Sequence, residues 1–406
     1  MPALAQTPQF VAVEGVDEKN TRAIKEKLGD KYTNQPLDKI KQTEIAEDLS
    51  DLKGTGRFDS LDYGFVQKDG RTGLLISPSQ IGESASTPLK LELGFDVNSV
   101  ESDNVNFNFL MRLTVYDVGS YGAEWRNDVR IGSNTLLATE YFRPLGKKGF
   151  FFAPRASYER RRINLFDNGN RLAEYSEQTA QAGIDLGYTF SSKSELRAGY
   201  TFGYQNISRR IGDSALPNLK GKYSALGLRW NYDGLDKSQV PTRGIWLRNA
   251  VNYYFNSPGV SEKFTQAEMR FNVFKPSGKR SVAFAFGGGG ASLGGNPSPV
   301  RQFTLGGPFQ LGGYGYEEFR ADNYLLGGGG VLYNPKFFPE FLGGKAYLGA
   351  WYEGGSAFEK FSRANYRQSV SGGVVFETPL GPVLIGGSVN ENSRGRFYFS
   401  LGRIFK

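Results

Sequence analysis

The stretch GIDLGYTF, residues 183–190, carries apolar side chains at every second position: Ile184, Leu186, Tyr188 and Phe190. Polar residues or glycine stand between them, so a strand formed here has one apolar face and one polar or open face. The same alternation recurs at 89–97, 226–232, 269–273 and 397–401. A period of two indicates β-strands. Because no helical period follows Pro88, the sequence predicts one β-domain over residues 88–406.

The apolar faces of these strands need a cover. In water a second sheet or helices would supply it, and no helical pattern remains after residue 88. A bilayer supplies it if the sheet closes, because closure leaves no unpaired edge in hydrocarbon. Segments of about ten residues, rising ~3.3 Å each and tilted ~45°, span roughly the ~25 Å apolar band of such barrels. The pattern therefore favours a transmembrane antiparallel β-barrel of the outer membrane over a soluble β-sandwich or propeller, whose strands are shorter.

We count sixteen candidate strands in this domain, with fourteen as the alternative count. An even number returns both ends of the barrel to the same side of the membrane. Turn signals separate the strands at 146–149, 167–170, 276–278 and 393–395. The predicted strand centres lie near residues 93, 110, 127, 139, 155, 182, 201, 227, 250, 269, 286, 326, 349, 373, 385 and 400.

Residues 9–80 predict a small α+β domain in front of the barrel, with residues 1–8 as a linker. Helices are expected at 21–28, capped by Asp17 and ended by Gly29, and at 37–52, ended by Gly54. Strands are expected at 10–13, 58–66 and 74–77, the last two joined by a turn at 68–70. The order is β-α-α-β-β, in which two helices cover one face of a three-stranded sheet.

The composition excludes several kinds of functional site. The 406 residues include no cysteine and no histidine, which removes disulfides, thiol nucleophiles and His-based triads or zinc sites. The net charge of +8 is spread along the chain, so no nucleic-acid partner is indicated. We expect no metal and no cofactor. The first ten residues are too short for a signal peptide, so a targeting segment was removed or the chain is the C-terminal piece of a longer one.

Two motifs could suggest chemistry, and we favour a structural role for each. Ser292 lies in a Gly-x-Ser-x-Gly match at 290–294, but no helix is predicted after it and no Asp-Gly pair follows. Asp233 and Asp236 could bind a cation, but capping a turn through the backbone is the better interpretation. The chain is therefore predicted to hold no catalytic residue.

Four segments resemble the superfamily of POTRA-plus-barrel transporters of the outer membrane, whose C-terminal part is called the bacterial surface antigen domain. The first segment, 232–249, holds the turn residues Asp233, Asp236, Pro241 and Gly244. The third, WYEGGSAF at 351–358, holds Glu353, and the fourth is 378–390. The second, 303–326, contains the motif Leu305, Gly306, Gly307, Leu311, Gly312, Gly313, Tyr314 and Arg320.

This resemblance implies specific roles. Residues of about 293–319 would form a loop inserted into the barrel lumen, and Phe405 would be the terminal signal that barrel-assembly machinery reads. The N-terminal domain resembles a POTRA (polypeptide-transport-associated) module through Gly15, Pro36-Leu37 and Gly56-x-Phe58. An arginine of the family loop pairs with an acid that corresponds to Glu353. Gly312 stands in the arginine's place, so we expect Arg320 to supply the charge.

The form of the loop resembles one branch most closely, the patatin-like phospholipase autotransporters. That branch implies a periplasmic POTRA domain and a barrel, embedded in outer-membrane lipid, that exports or displays an upstream lipase. The partner would be polypeptide cargo or a fused passenger. Two alternatives stay open: a barrel-assembly or export factor acting on other polypeptides, and a passive pore or anchor.

Overall fold

The computed structural model describes residues 7–16, 18–37, 39–54, 58–80, 89–100, 105–146, 148–167, 170–335, 345–378, 380–402 and 404–405. The predicted cap Asp17, the marker Gly56, the start at Pro88 and the turn residues 168–169 lie outside them. The chain divides into two compact units, residues 1–90 with 113–125 and residues 91–112 with 126–406.

The first ninety residues form a three-stranded sheet and two helices. The elements are β1 (Phe10–Val13), α1 (Glu18–Tyr32), α2 (Lys39–Gly54), β2 (Phe58–Lys68) and β3 (Arg71–Gln80). The sheet order is β1-β3-β2, with β1 parallel and β2 antiparallel to β3. The core consists of Val11, Ile24, Leu28, Tyr32, Leu37, Ile45, Leu49, Leu74 and Ile76. Among the described residues, no helix has both the length and the apolarity for crossing a bilayer.

Helix α1 does not end at Gly29, as predicted, but continues to Tyr32. Tyr32 is fully buried, and its hydroxyl donates to Asp48 at 2.5 Å. These contacts of the last turn outweigh the weak helix preference of Gly29. The chain turns only at Asn34, which has a φ of 59°.

Sixteen strands form one closed antiparallel barrel, as predicted, and each predicted centre falls inside a strand. Its strands are β4 (Leu89–Val100), β5 (Val105–Tyr116), β6 (Glu124–Gly132), β7 (Thr135–Pro144), β8 (Phe150–Asp167), β9 (Asn170–Ser191), β10 (Ser194–Ile211), β11 (Leu219–Asp233), β12 (Gly244–Asn256), β13 (Phe264–Pro276) and β14 (Ser281–Leu293), followed by β17 (Asn323–Tyr333), β18 (Ala346–Phe358), β19 (Arg367–Phe376), β20 (Val383–Asn390) and β21 (Gly395–Leu401). Strand β21 pairs with β4 and closes the ring.

The alternation read from the sequence sorts side chains between the two faces of the wall. Leu226, Leu228 and Trp230 are 40–51% exposed and face outward, whereas Arg229 between them faces the lumen and bonds Asp185. The outer wall is thus apolar where the inner wall is charged, as a membrane barrel requires.

A long connection joins β14 to β17, and we call residues 294–322 the lumen loop. It contains a short two-stranded hairpin, β15 (Phe303–Leu305) and β16 (Phe319–Ala321). We call the barrel end where β4 begins and β21 ends the proximal end and the other the distal end. The lumen loop leaves and rejoins the wall at the distal end.

Candidate functional site

The lumen loop reaches opposite walls of the barrel interior. Val300 packs with Ile163, Tyr175 and Ile207 on β8–β10. Gly312, further along the loop, bonds a side chain on β18. Because these strands lie half a circumference apart, the loop crosses the lumen.

The tip of the loop is held by a buried acid. Glu353 on β18 has no exposed surface. It accepts hydrogen bonds from the backbone N–H of Gly312, from Trp351 Nε1 at 2.7 Å and from Ser369 Oγ at 3.0 Å. Three donors converge on one carboxyl group, which satisfies it where water is excluded.

The missing arginine at position 312 has a structural explanation. A Cβ added to Gly312 would lie 3.0 Å from Ser371 Oγ and 3.3 Å from Ser388 Cβ. The glycine therefore lets the loop backbone approach the wall until its own N–H reaches Glu353. A backbone donor replaces the side-chain cation.

The predicted pair of Arg320 with Glu353 is wrong. Arg320 lies on β16 and donates through Nη2 to Glu317, through Nε to the carbonyl of Asn164 at 3.3 Å, and through Nη1 to that of Pro299 at 3.4 Å. It therefore fastens the loop to β8, the wall opposite Glu353.

Other residues of the predicted loop motif complete the docking. The Tyr314 hydroxyl donates to Glu391, and the Asn390 side-chain amide donates to the Gly313 carbonyl at 3.1 Å. Leu305, Leu311 and Tyr314 are buried against Tyr324 of the wall in one cluster. Gly306 and Gly307 have φ values of 125° and 101°, in the region that favours glycine.

Gly313 lies against the backbone of the wall, which cannot move aside as a side chain can. An added Cβ would lie 2.7 Å from Asn390 Cβ and 2.8 Å from the Asn390 backbone nitrogen, which belongs to β20. We expect Gly313→Ala to push the tip off the wall at a cost of about 1–3 kcal/mol. Trypsin cleavage at Arg301 and Arg320 in the refolded barrel should become faster.

The matched control is Gly327→Ala, because nothing lies within 4 Å of an added Cβ at Gly327 on β17. Equal cleavage rates in the two variants would contradict the close approach at Gly313.

Below the tip, an aromatic cluster packs against the inner wall of β13, β14 and β18–β21. The Phe309 ring of the loop stacks on Trp351 at 4.7 Å and contacts Phe286 at 5.5 Å. Phe405 packs on Phe309 at 5.4 Å and on Phe274 at 5.5 Å. Loop and C-terminal tail, entering from opposite ends, meet inside the barrel.

Phe405, predicted as the terminal signal, thus lies beyond the last strand and inside the wall. Strand β21 ends at Leu401, and Gly402 follows with a φ of 115°. The Asn272 side chain then donates to the Phe405 carbonyl at 2.8 Å.

The predicted turn motif lies between β11 and β12 at the proximal end. Asp236 accepts from the backbone N–H groups of Thr242 at 2.9 Å and Arg243 at 3.1 Å, while Asp233 accepts from that of Leu235 at 3.3 Å. These carboxylates cap the turn, as we favoured. Gly244 has a φ of 115°, and Val240, beside Pro241, is fully buried in the aromatic cluster.

The stability of this turn should depend on pH through Asp236. Partial burial disfavours the charge on Asp236, but hydrogen bonds from the hydroxyl and N–H of Thr242 and from the N–H of Arg243 outweigh it and lower the pKa of Asp236. A lowered folded pKa contributes stability above the unfolded value, near ~3.9, that is lost as pH falls through the folded value. We expect the amides of Thr242 and Arg243 to be protected from hydrogen exchange at pH 5 and to lose protection below about pH 4.

Hydrogen-exchange mass spectrometry of the 234–243 peptide, corrected for intrinsic rates, measures this. Asp236→Asn should remove the pH dependence. Wild-type protection that stays constant down to pH 2.5 would rule the carboxylate out as the cap.

A second charged centre lies on the inner wall of β7–β11. Asp185 is 1% exposed and accepts from Arg155 Nε at 3.2 Å and from Arg229 Nη2. Arg197 Nη1 lies 3.7 Å from it and 2.8 Å from Glu140. This centre was not predicted from the sequence, although Asp185 lies on the polar face of the strand at 183–190.

Several docking residues were also missed. Ser369 and Ser371 on β19 and Ser388 and Asn390 on β20 are buried and face the loop. The sequence signal for them is a pair of small polar residues two positions apart on the inward face of each strand.

The interior retains a cavity of about 510 Å³ between the loop, the tail and β12–β14. Arg248, Glu268 and Arg270 line it together with Phe309 and Phe405. Ser292 lies outside this set at the end of β14, where it accepts from the Gln266 side chain at 3.1 Å. The chain continues from it into a turn and not into a helix, so the nucleophile geometry is not formed.

Fold and site together define a class: a sixteen-stranded membrane barrel whose lumen is crossed by its own loop. A family model described as the Omp85 superfamily domain matches residues 87–405. The chain therefore belongs to the Omp85 superfamily, and its barrel lies in the outer membrane.

Solved structures share this fold at low identity. BamA from Haemophilus ducreyi lacking POTRA domains 1-3 matches with a TM-score of 0.64 and 12% identity over 96% of this chain and 83% of that one. CdiB from Acinetobacter baumannii matches at 0.60 and 11%, over 98% and 74%. CdiB from Escherichia coli matches at 0.59 and 12%, over 98% and 76%.

Proposed function

We propose that this chain is a polypeptide-translocating barrel, closed at rest by the lumen loop and the C-terminal tail. One observation carries the proposal: two non-wall segments, which enter the barrel from opposite ends, meet inside the lumen at Phe309 and Phe405. The lumen loop and the C-terminal tail are held by side-chain contacts and hydrogen bonds and not by β-sheet pairing with the wall. They can therefore leave the lumen while the strands of the wall stay paired. A barrel that served only as an anchor would not need a removable closure.

The N-terminal unit, in this proposal, is a periplasmic POTRA domain that delivers the cargo. Its β-α-α-β-β order fits, and the match to BamA covers 96% of this chain, so it extends across most of the first ninety residues. Strand β2 is an edge of the sheet, and its Tyr63 and Phe65 are 37% and 40% exposed. An extended segment can pair with such an edge and place alternate side chains on these rings.

The cargo we propose is a patatin-like lipase passenger fused ahead of residue 1. Support comes from the form of the loop motif, with Gly312 in place of the arginine. The chain itself would contribute no catalysis.

A disulfide lock tests translocation through the lumen. The chain has no cysteine, so Gly312→Cys with Ser388→Cys introduces a single pair. An added Cβ at Gly312 lies 3.3 Å from Ser388 Cβ, a few tenths of an ångström under the usual disulfide range of roughly 3.5–4.5 Å. We expect the oxidised protein to retain a fused lipase inside the cell and the reduced protein to display it, measured by protease access on whole cells.

The two single-cysteine variants are the controls and should display the lipase under both conditions. Display that persists with the loop locked would overturn translocation and favour the passive anchor. Channel conductance unchanged by deleting 301–319 would point the same way.

A further inference from the structure

Two arginines face away from the lumen at the distal end of the wall. Arg160 and Arg162 on β8 are exposed. They share the outward face with Phe150 and Tyr158, whereas Phe151 faces inward and is 1% exposed. They therefore stand on the surface that meets the membrane.

Strand register fixes the level of these arginines. Tyr158 and Tyr204 both pair with Ala180, so they form one outward row. Arg160 lies two residues further toward the distal end, opposite Gln178. From Phe190 to Ala180 the outward face of β9 carries no charge. Ten residues at ~3.3 Å, tilted ~40°, cover about 25 Å, which is the height of the apolar band.

The arginines thus begin where the aromatic girdle ends, in the layer of lipid headgroups. There they line a cleft of about 330 Å³. Its other lining residues are Ser133, Ser176, Gln178 and Arg210.

The charge in this cleft is unbalanced. The Arg160 guanidinium reaches Thr135 Oγ1 at 3.3 Å, and within the described chain no acid lies within ion-pair distance of Arg160 or Arg162. Glu174 is the nearby acid, and it is shared between Arg210 at 3.2 Å and Arg171 at 3.7 Å. Lys220 on β11, exposed and opposite Asn206 in the same row as Arg160, adds a further cation.

We propose that this cleft binds the phosphate of a membrane lipid, with Arg160 and Arg162 as its ligands. Guanidinium groups match phosphate oxygens with paired hydrogen bonds. Serine and glutamine side chains supply further neutral donors. The occupant is a lipid and not a free anion, because the cleft opens at the edge of the apolar band, where acyl chains pack on Tyr158 and Tyr204.

The test is native mass spectrometry of the full chain released from nonionic detergent, with bis-phosphorylated lipid A as the probe. We expect Arg160→Gln with Arg162→Gln to weaken lipid adducts by about tenfold or more. Lys360→Gln with Arg363→Gln, two exposed cations elsewhere at the distal end, is the control and should change them less than about twofold. Retained heat-modifiability on gels confirms that each variant is folded.

Two further measurements test whether the cleft recognises the phosphate of a lipid. Dephosphorylated lipid A should bind the wild type as weakly as lipid A binds the double variant. Inorganic pyrophosphate at equal concentration should not displace the lipid. The proposal would be overturned if the control variant lost as much lipid binding as the arginine variant, or if the wild type bound the dephosphorylated lipid as well as lipid A. It would also be overturned if pyrophosphate displaced the lipid, because the cleft would then be a site for a free anion.

Discussion

Glu353→Ala is expected to release the tip of the lumen loop and open the barrel. The substitution removes the acceptor shared by the Gly312 N–H, the Trp351 indole and the Ser369 hydroxyl, all in a buried site. A buried donor left without a partner costs about 1–3 kcal/mol. Three such donors, partly relaxed, predict a loss of about 3–5 kcal/mol in the docking of the loop.

The expected readouts are faster trypsin cleavage at Arg301 and Arg320 and a higher single-channel conductance in planar bilayers. Glu353→Gln keeps the volume and one acceptor oxygen but sets an amide N–H against one of the donors, so an intermediate effect is expected. Glu359→Ala, an exposed residue just past the end of β18, is the matched control. Cleavage and conductance of Glu353→Ala that equal those of this control would remove Glu353 as the anchor.

The wall of the barrel was predictable because one local signal specifies it. Alternation tells each residue which face it occupies, and a closed sheet follows once the apolar face needs lipid. Residues 226–232 illustrate this: the outward leucines and Trp230 were identified without any knowledge of neighbouring strands. The same signal carries no information about which strand lies opposite another across the lumen.

The contacts inside the lumen were less predictable for that reason. The loop and Glu353 were predicted from the sequence, but Glu353 was expected to pair with the side chain of Arg320. The true partner at Gly312 is a backbone N–H, which every residue except proline possesses and which leaves no trace in residue type. A glycine at a motif position that usually holds a cation was the signal for close approach.

Phe405 shows a third limit. Extending the alternation of β21 past Leu401 would keep the chain in the wall. Gly402, with a φ of 115°, turns it inward, where Phe405 gains contacts with Phe274 and Phe309. A glycine with a positive φ ends the strand here, and the alternation of apolar and polar residues does not predict that end.

Asp185→Ala is expected to destabilise the barrel wall without freeing the loop tip. The carboxylate is 1% exposed and faces Arg155, Arg197 and Arg229. Without it, three cations stand close together, and the neighbouring acids Glu140 and Glu195 both pair with Arg197. Removing one partner of a buried ion cluster costs about 3–5 kcal/mol.

The measurement is the temperature or urea midpoint at which the compact band on unheated gels disappears. Glu159→Ala is the control, because Glu159 is 40% exposed and 3.9 Å from Arg130, and such a pair contributes about 0–1 kcal/mol. Asp185→Asn keeps the shape of the side chain and removes its charge. If the charge is the cause, this variant should lower the midpoint almost as much as Asp185→Ala does. A midpoint for Asp185→Ala close to that of Glu159→Ala would show that the arginines find other partners.

Asp185→Ala and Glu353→Ala should also differ in which property they change. Asp185 supports β7–β11, whereas Glu353 holds the tip against β18–β20, on the other side of the ring. Asp185→Ala should therefore lower the midpoint while tryptic cleavage of the loop stays slow at low temperature. Glu353→Ala should speed cleavage while the wall, still fully paired, unfolds at nearly the wild-type midpoint. This dissociation is what a translocation barrel needs, because its closure must yield under conditions in which its wall does not.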